Sequence, residues 1–134
     1  MAAYNKTRKL LEQFRGLREK SELWIYQAQS QDSAESARCQ DILEQLIEFC
    51  TSEPNNEGGA ESSRVLANNQ TLLFNLNAHL EVIEFLRLRF EEKSPIMTTL
   101  FSKCYFFLQQ VALFFLFFFF FFSQLSALTV LQNQ

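Results

Sequence analysis

The sequence predicts an all-α fold built from helical hairpins, and three observations predict it. Apolar residues recur at three- and four-residue steps through most of residues 1–110, which is the spacing of one face of an α-helix. Glycine and proline are scarce, with 3 and 2 residues, so tight turns are few. The stretch Arg64–Glu92 holds two such patterns, separated by Asn77, a residue that tolerates the left-handed conformation at helix ends. We therefore expect two helices joined by a sharp corner at Asn77.

The length and charge of the chain restrict its function. Its 134 residues suffice for one small domain with a modest core. The 12 Lys and Arg against 15 Asp and Glu give a formal net charge of -3, which argues against nucleic acid as a partner. Three cysteines at irregular spacings indicate neither a disulfide framework nor a zinc site, and they fit a reducing compartment. We expect no metal ion and no cofactor.

The first helix is predicted from Asn5 or Thr7 to Lys20, with Leu10, Phe14 and Leu17 on its buried side. Its outer face is basic, which is typical of a solvated surface and also of a phospholipid contact, and we favour the solvated surface.

Four large apolar residues then follow one another in Leu23–Tyr26, without helical spacing. This run predicts a short extended segment or an irregular helix end against the core, with Trp24 as its packing anchor. An aromatic ligand platform is the less favoured interpretation.

A second long helix is predicted from Ser33 to Cys50, after a polar loop at Gln27–Ser33. Asp32 and Glu35 have the spacing of a reciprocal helix cap. The acidic residues of this helix are expected to face solvent. Its buried side is expected to carry Ile42, Leu43, Leu46, Phe49 and Cys50.

The polar stretch Thr51–Ser63 is predicted to be a linker, with Ser62 or Ser63 capping the helix that follows. In the hairpin, the buried side of the first helix is predicted to carry Val65, Leu72 and Leu76. The second helix is predicted to bury Leu80, Ile83, Leu86 and Phe90, with Val82 and Phe85 widening that face.

The single histidine, His79, has no second histidine with which to form a metal site or a catalytic relay, so a packing or capping role is expected.

Ser94 and Pro95 have the pattern of a cap and a first helical turn. The apolar side of the helix that they open is expected to carry Met97, Leu100, Cys104, Phe107 and Val111.

Two motifs are distinctive. One is Glu19–Tyr26, which reads Glu-Lys-Ser-Glu-Leu-Trp-Ile-Tyr, and the other is Asn75–Leu86, which holds Asn-Leu-Asn-Ala-His followed by Val-Ile-Glu-Phe-Leu. Both resemble the inositol trisphosphate receptor family. With the triplet that begins at Phe107, the resemblance covers roughly residues 8–110 and lies in the homology domain that this family shares with ryanodine receptors. The family usually has glycine at the position of Asn77 and a basic helix before it, which this chain lacks.

The resemblance implies an armadillo-like array of helical hairpins, a fragment of the cytosolic regulatory solenoid of a calcium-release channel. It also implies the cytosolic face of the endoplasmic reticulum membrane as the location, and other helical repeats of a homotetrameric channel as partners. No ligand or pore residue of that family falls on a position of this chain. The hairpins themselves predict only stacked units that need neighbours.

Residues 111–134 are a region of different composition that departs from the family. Val111–Phe122 is uninterrupted apolar sequence, and 8 of the 16 phenylalanines lie between Phe114 and Phe122. We interpret this tail as translated intron or another alternative end of a truncated product. It is also long enough to enter a membrane, with the possible segment marked by Val111, Phe117, Phe122 and Leu131.

We therefore expect a non-enzymatic fragment of a channel solenoid, with a small tail-anchored adaptor at a membrane as the alternative. No nucleophile, base and oxyanion donor can be assembled from one histidine and scattered carboxylates. If the tail inserts, Lys93 and Lys103 on its N-terminal flank predict a cytosolic N-terminal side; if it does not, the chain is cytosolic.

Overall fold

All of the regular structure in the described residues is α-helical, as predicted. The computed structural model describes residues 2–26, 33–51, 60–90 and 94–132, with side chains at all of these except 60–63, 117–118, 121–122 and 129–132. The helices in these ranges are α1 (Ala2–Glu19), α2 (Ser21–Trp24), α3 (Ala34–Thr51), α4 (Ala60–Asn75), α5 (Ala78–Leu86) and α6 (Pro95–Gln132).

One apolar core is shared by α1, α3, α5 and the first half of α6. Helix α3 packs against α1, α4 and α6, while α5 packs against α1, α4 and α6. Each of these helices turns one apolar side inward, which is how amphipathic helices bury their surface against one another. The largest fully buried side chains include Phe14, Trp24, Ile42, Leu43, Leu73, Phe85 and Phe107.

Helix α1 begins at Ala2, earlier than predicted, and buries Leu10 and Phe14. Residues Ser21–Trp24 form one helical turn and not an extended segment. Trp24 is only 1% exposed, and its indole Nε1–H donates to the carbonyl oxygen of Leu17 at 2.9 Å. A buried ring whose single donor is satisfied matches the predicted packing role of Trp24.

The cap of α3 is one residue later than predicted. The Ser36 N–H donates to Ser33 Oγ at 3.1 Å, and the Ser33 N–H donates to Ser36 Oγ at 3.0 Å. This is the reciprocal arrangement predicted for Asp32 and Glu35, and Asp32 lies outside the described residues. The predicted apolar side of α3 is buried, except that Phe49 is half-buried.

The predicted buried side of α4 is wrong by about one residue. Val65 is 37% exposed and Leu72 is half-buried, whereas Leu73 is completely buried. Two polar residues cause the difference: Asn69 Nδ2 donates to the Phe49 carbonyl oxygen at 3.1 Å, and Gln70 Nε2 donates to the Cys50 carbonyl oxygen at 3.0 Å.

These two carbonyl groups lie in the last turn of α3, where no amide of the helix can reach them. The inward side of α4 is therefore partly polar, and an apolar pattern alone cannot identify it.

The predicted linker Thr51–Ser63 is also too long, because Thr51 ends α3 and α4 begins at Ala60. Ser62 and Ser63 consequently lie inside α4 and do not cap it, and residues 52–59 lie outside the described residues.

The corner of the hairpin is at Asn77, as predicted. Its backbone is left-handed, with φ 61° and ψ 34°, and it is the only residue other than glycine with positive φ in the described part of the chain. The Asn77 carbonyl oxygen accepts the Leu80 and Glu81 amides at 3.1 and 3.2 Å, which starts α5 immediately after the corner.

The predicted buried face of α5 is right at Val82 and Phe85 and wrong at Leu80 and Ile83. Leu80 is 48% exposed and Ile83 is 43% exposed, whereas Val82 and Phe85 are completely buried. Apolar residues lie on more than one side of this helix, so their spacing does not determine which side faces the core. Helix α5 ends at Leu86, before the half-buried Phe90.

Helix α6 starts as predicted, because Ser94 Oγ accepts the Met97 N–H at 3.2 Å ahead of Pro95. The predicted stripe from Met97 to Val111 is no more than 2% exposed at any of its five positions. The helix then continues without a break across residues 110 and 111 to Gln132. Every described side chain beyond Phe115 is exposed.

The left-handed corner generates a prediction about Asn77. A β-branched side chain disfavours this conformation, so Asn77→Val is expected to lower the free energy of unfolding by about 1–2 kcal/mol, whereas Asn77→Gly leaves it unchanged or slightly higher. Urea unfolding followed by circular dichroism in mild detergent measures both. Asn75→Val, the same change at an exposed position in the last turn of α4, is the control, with an effect of a few tenths of a kcal/mol. Equal effects at both positions would contradict the left-handed backbone conformation of Asn77.

Candidate interaction surfaces

An aromatic cluster covers the corner of the hairpin. The ring of Phe74 stacks on His79, with ring centroids 5.3 Å apart and planes 17° apart. Phe115 of α6 meets both rings edge-on, at 4.6 Å from Phe74 and 5.8 Å from His79. The first turn of the phenylalanine-rich segment therefore has a defined partner surface, which its repetitive sequence does not predict.

His79 packs in this cluster, which is one of the two roles predicted for it. Burial lowers the pKa of His79, because the charged imidazolium is desolvated. Its Nδ1 atom is buried and has no hydrogen-bond partner among the described residues. The neutral ring is therefore the form that the folded protein favours.

Helices α1 and α5 are joined by an ion pair that the sequence analysis missed. Glu81 Oε1 accepts hydrogen bonds from Arg15 Nη2 at 2.7 Å and from Arg15 Nε at 2.9 Å. Arg18 Nη2 lies 3.5 Å from the other carboxylate oxygen, and the Glu81 side chain is only 12% exposed. The signal is visible in the sequence, since Glu81 follows Ala78 by three residues and precedes Phe85 by four, which places it on the buried side of α5.

The opposite side of α5 presents apolar residues to solvent. Leu80 and Ile83 are three residues apart, so their side chains adjoin on the helix surface. Phe74, in the last turn of α4, is 44% exposed as well. We call Leu80 and Ile83 the outer face of α5.

The residues predicted to matter for packing or for the membrane have different environments. Trp24 and Val111 are buried, Leu72, Leu76 and Leu86 are half-buried, Asn77 is an exposed corner, and Ile83 is exposed. The side chains of Phe117, Phe122 and Leu131 lie outside the described residues, although the backbone there is helical. The packing role predicted for Ile83 is performed by Val82 and Phe85.

Open grooves lie between helices in the described part of the chain, and two of them are the largest candidates for a small-molecule site. One, of about 610 Å³, separates α3 from α6 and is lined in part by Glu44, Thr98 and Lys103. Lys103 Nζ lies 3.0 Å from Glu44 Oε1, and this hydrogen bond lowers the pKa of Glu44. The hydroxyl of Thr98 donates to the Ser94 carbonyl oxygen at 2.8 Å, so Glu44, Lys103 and Thr98 each already have a partner within the protein.

The second groove, of about 420 Å³, lies between α1 and α3 and has apolar walls at Leu10, Leu46 and Phe49. Lys6 and Glu48 line it as well. Two isolated charges of opposite sign do not select one class of small molecule.

Burial suppresses the ionisation of the three cysteine thiols in this fold. Cys39, Cys50 and Cys104 are free, and burial raises their pKa to about 12, 11 and 12 respectively. The thiolate is the reactive form, so these groups are poor nucleophiles. No group of three potential metal ligands converges in the part of the chain that the structure describes.

Helix α6 contains one candidate membrane span among the described residues, Pro95–Leu116, with a mean hydropathy of 1.3. The buried core stripe of α6 lies inside this window, so composition alone does not separate a membrane helix from a core helix here.

The ion pair between α1 and α5 generates a prediction. A double-mutant cycle on Arg15→Ala and Glu81→Ala is expected to give a coupling free energy of about 1 kcal/mol, because Glu81 is largely buried and accepts two hydrogen bonds. The pair Arg8–Glu12, whose charged atoms are 3.6 Å apart and whose side chains are about half exposed, is the control, with a coupling of about 0.3 kcal/mol. Equal couplings for the two pairs would contradict the expectation that the burial of Glu81 strengthens its pair with Arg15.

The burial of His79 generates a prediction about pH. Because the folded state lowers the pKa of His79 from the ordinary value of 6.5, the unfolded chain binds the proton more tightly. The free energy of unfolding therefore falls as the pH drops through 6.5 and stops falling below the folded-state pKa. Since His79 is the only histidine, one imidazole resonance in a proton NMR titration measures that pKa directly. His79→Phe should remove this part of the pH dependence, and a folded-state pKa of 6.5 or more would exclude the packed ring.

Comparisons of the chain with protein-family models, with curated proteins and with solved structures find no match. The resemblance to the inositol trisphosphate receptor family consequently depends on the two motifs and the triplet at Phe107 alone.

Proposed function

We propose that the chain is a non-enzymatic helical module that packs against further helical hairpins, as a fragment of an armadillo-like regulatory solenoid. The observation that carries this proposal is the outer face of α5. The hairpin of α4 and α5 has one side in the chain's own core, and on the other side Leu80 and Ile83 are nearly half exposed. Hairpins of a solenoid bury both sides, one against each neighbouring repeat.

The contacts of α5 with the core and with α1 hold its outer face in a fixed position. Val82 and Phe85 anchor the helix in the core, and Glu81 joins it to α1. Glycine is absent from α5, and Asn77 orients its first turn. A surface that is already ordered loses little conformational entropy when a neighbouring repeat binds.

The motifs Glu19–Tyr26 and Asn75–Leu86 support a more specific proposal. By their resemblance, the parent array is the cytosolic regulatory region of a homotetrameric calcium-release channel resembling the inositol trisphosphate receptor, at the endoplasmic reticulum membrane. In this proposal the module relays ligand and calcium signals through packing, with no chemical step of its own.

A second candidate function is that of a small adaptor whose bundle binds a partner while α6 holds it at a membrane. The exposure of Leu113 and Leu116, at 58% and 67%, favours it. A membrane-bound chain that does not associate with a calcium-release channel would distinguish the adaptor from the channel module.

The channel proposal predicts an association that depends on the outer face. The full chain, expressed in cells that contain inositol trisphosphate receptors, should co-purify with the receptor and change the calcium released by inositol trisphosphate in permeabilised cells. Leu80→Asp and Ile83→Asp should each reduce the recovered complex about tenfold, because an unpaired carboxylate would be buried at the contact.

Tyr105→Asp is the matched control, since Tyr105 is a 61% exposed apolar residue on α6, and it should leave recovery unchanged. Circular dichroism of each variant checks that its helices are intact. Equal recovery of all three variants, or no recovery of the unaltered chain, would refute the channel proposal.

A further inference from the structure

We propose that the part of α6 beyond Phe115 inserts into the hydrocarbon core of a lipid bilayer, while the helical bundle, which includes Phe115, stays in the aqueous phase. This proposal rests on the second candidate function, whose membrane segment it locates, and it is independent of the packing function of the outer face. Its evidence is the change of environment along one continuous helix.

The first half of α6 is not available for a membrane. Met97, Leu100 and Cys104 are completely buried in the protein core, and Val111 is 2% exposed. Lys103 in the same half is paired with Glu44 of α3. Withdrawing this half into lipid would open the core and separate that ion pair, so the membrane segment must begin later than the span Pro95–Leu116 suggests.

The second half has the opposite character. Leu113, Leu116, Phe120 and Leu128 are between 55% and 67% exposed. After Lys103 the sequence contains no charged residue. The apolar surface of the first half is buried and stabilises the fold. The apolar surface of the second half contributes no such free energy as long as it is exposed to water.

The arrangement of apolar residues around the helix selects lipid as the occupant. All seven residues of Leu116–Phe122 are apolar, and seven successive residues cover every side of an α-helix. A partner helix, a groove or a second copy of the chain covers one stripe and leaves the other sides in water. Lipid chains cover all sides, which is why helices that are apolar all round occur in membranes or deep cores.

The length and backbone of the segment also fit a bilayer. As an α-helix, Leu116–Gln132 is about 25 Å long, which is at the short end of the range of helices that cross the hydrocarbon core. Its peptide groups bond within the helix, as hydrocarbon requires. Ser123, Gln124 and Ser126 are polar but uncharged, and Lys103 on the N-terminal side of the segment favours a cytosolic bundle.

Flotation of the full chain with vesicles of phosphatidylcholine tests the insertion. These vesicles have no net charge, so adsorption through the basic face of α1 is not favoured. The chain should float with the vesicles and resist extraction at alkaline pH. Chymotrypsin cleaves after Phe and Leu, and it should degrade the bundle but leave a fragment that begins between Ala112 and Leu116 and is identified by mass spectrometry. Without vesicles that fragment should be degraded.

Two variants at exposed positions separate insertion from adhesion of the bundle. Leu116→Lys together with Phe120→Lys should reduce the bound fraction by at least about 50-fold, because each places a charge in hydrocarbon. Leu23→Lys with Tyr26→Lys changes two equally exposed apolar residues outside the segment and should leave binding unchanged. Circular dichroism confirms that both variants retain their helices.

Any of three results would overturn the insertion. The chain could pellet as an aggregate without floating, the segment could be digested in the presence of vesicles, or the Leu23 and Tyr26 variant could lose binding as completely as the Leu116 and Phe120 variant.

Discussion

The ring of Phe85 is the contact on which the rest of the fold depends. It is completely buried and lies 4.8 Å from the ring of Phe14, 6.5 Å from Trp24 and 6.0 Å from Phe101. These rings belong to α1, α2 and α6, so one side chain of a nine-residue helix joins three distant parts of the chain. Contacts of this kind, between residues far apart in sequence, must repay the entropy of closing long loops. The left-handed corner at Asn77 and the ion pair at Glu81 both orient α5 so that the ring of Phe85 lies between the rings of Phe14, Trp24 and Phe101.

The orientation of α5 and α6 also determines which apolar surfaces remain exposed and available for function. Because the side of α5 with Val82 and Phe85 points into the core, Leu80 and Ile83 point away from it. Because the stripe from Met97 to Val111 holds the first half of α6, the second half projects from the bundle. One core thus produces two apolar surfaces of different shape: a narrow face on a fixed helix, suited to another helix, and a helix apolar on all sides, suited to lipid.

The helices and their ends could be predicted from the sequence wherever a local rule decides them. Asn77 ends a helix because its side chain tolerates positive φ, and Ser94 with Pro95 starts one because a hydroxyl replaces the missing partner of an amide. The inward sides of α4 and α5 could not be predicted in this way. They depend on Asn69 and Gln70 binding the last carbonyl groups of α3, and on Glu81 meeting Arg15, which are tertiary contacts of polar residues. Hydrophobic spacing carries no information about such contacts.

Hydrogen exchange in the full chain, in mild detergent, tests most directly whether one core holds the module together. If α1, α5 and the first half of α6, which Phe85 joins, share one core with α3, the slowest amides of all four helices should exchange with one common free energy of opening, and Phe85→Ala should lower it for all of them by about 3–5 kcal/mol. Separate opening free energies for α5 and α1, with Phe85→Ala changing α5 alone, would contradict the shared core.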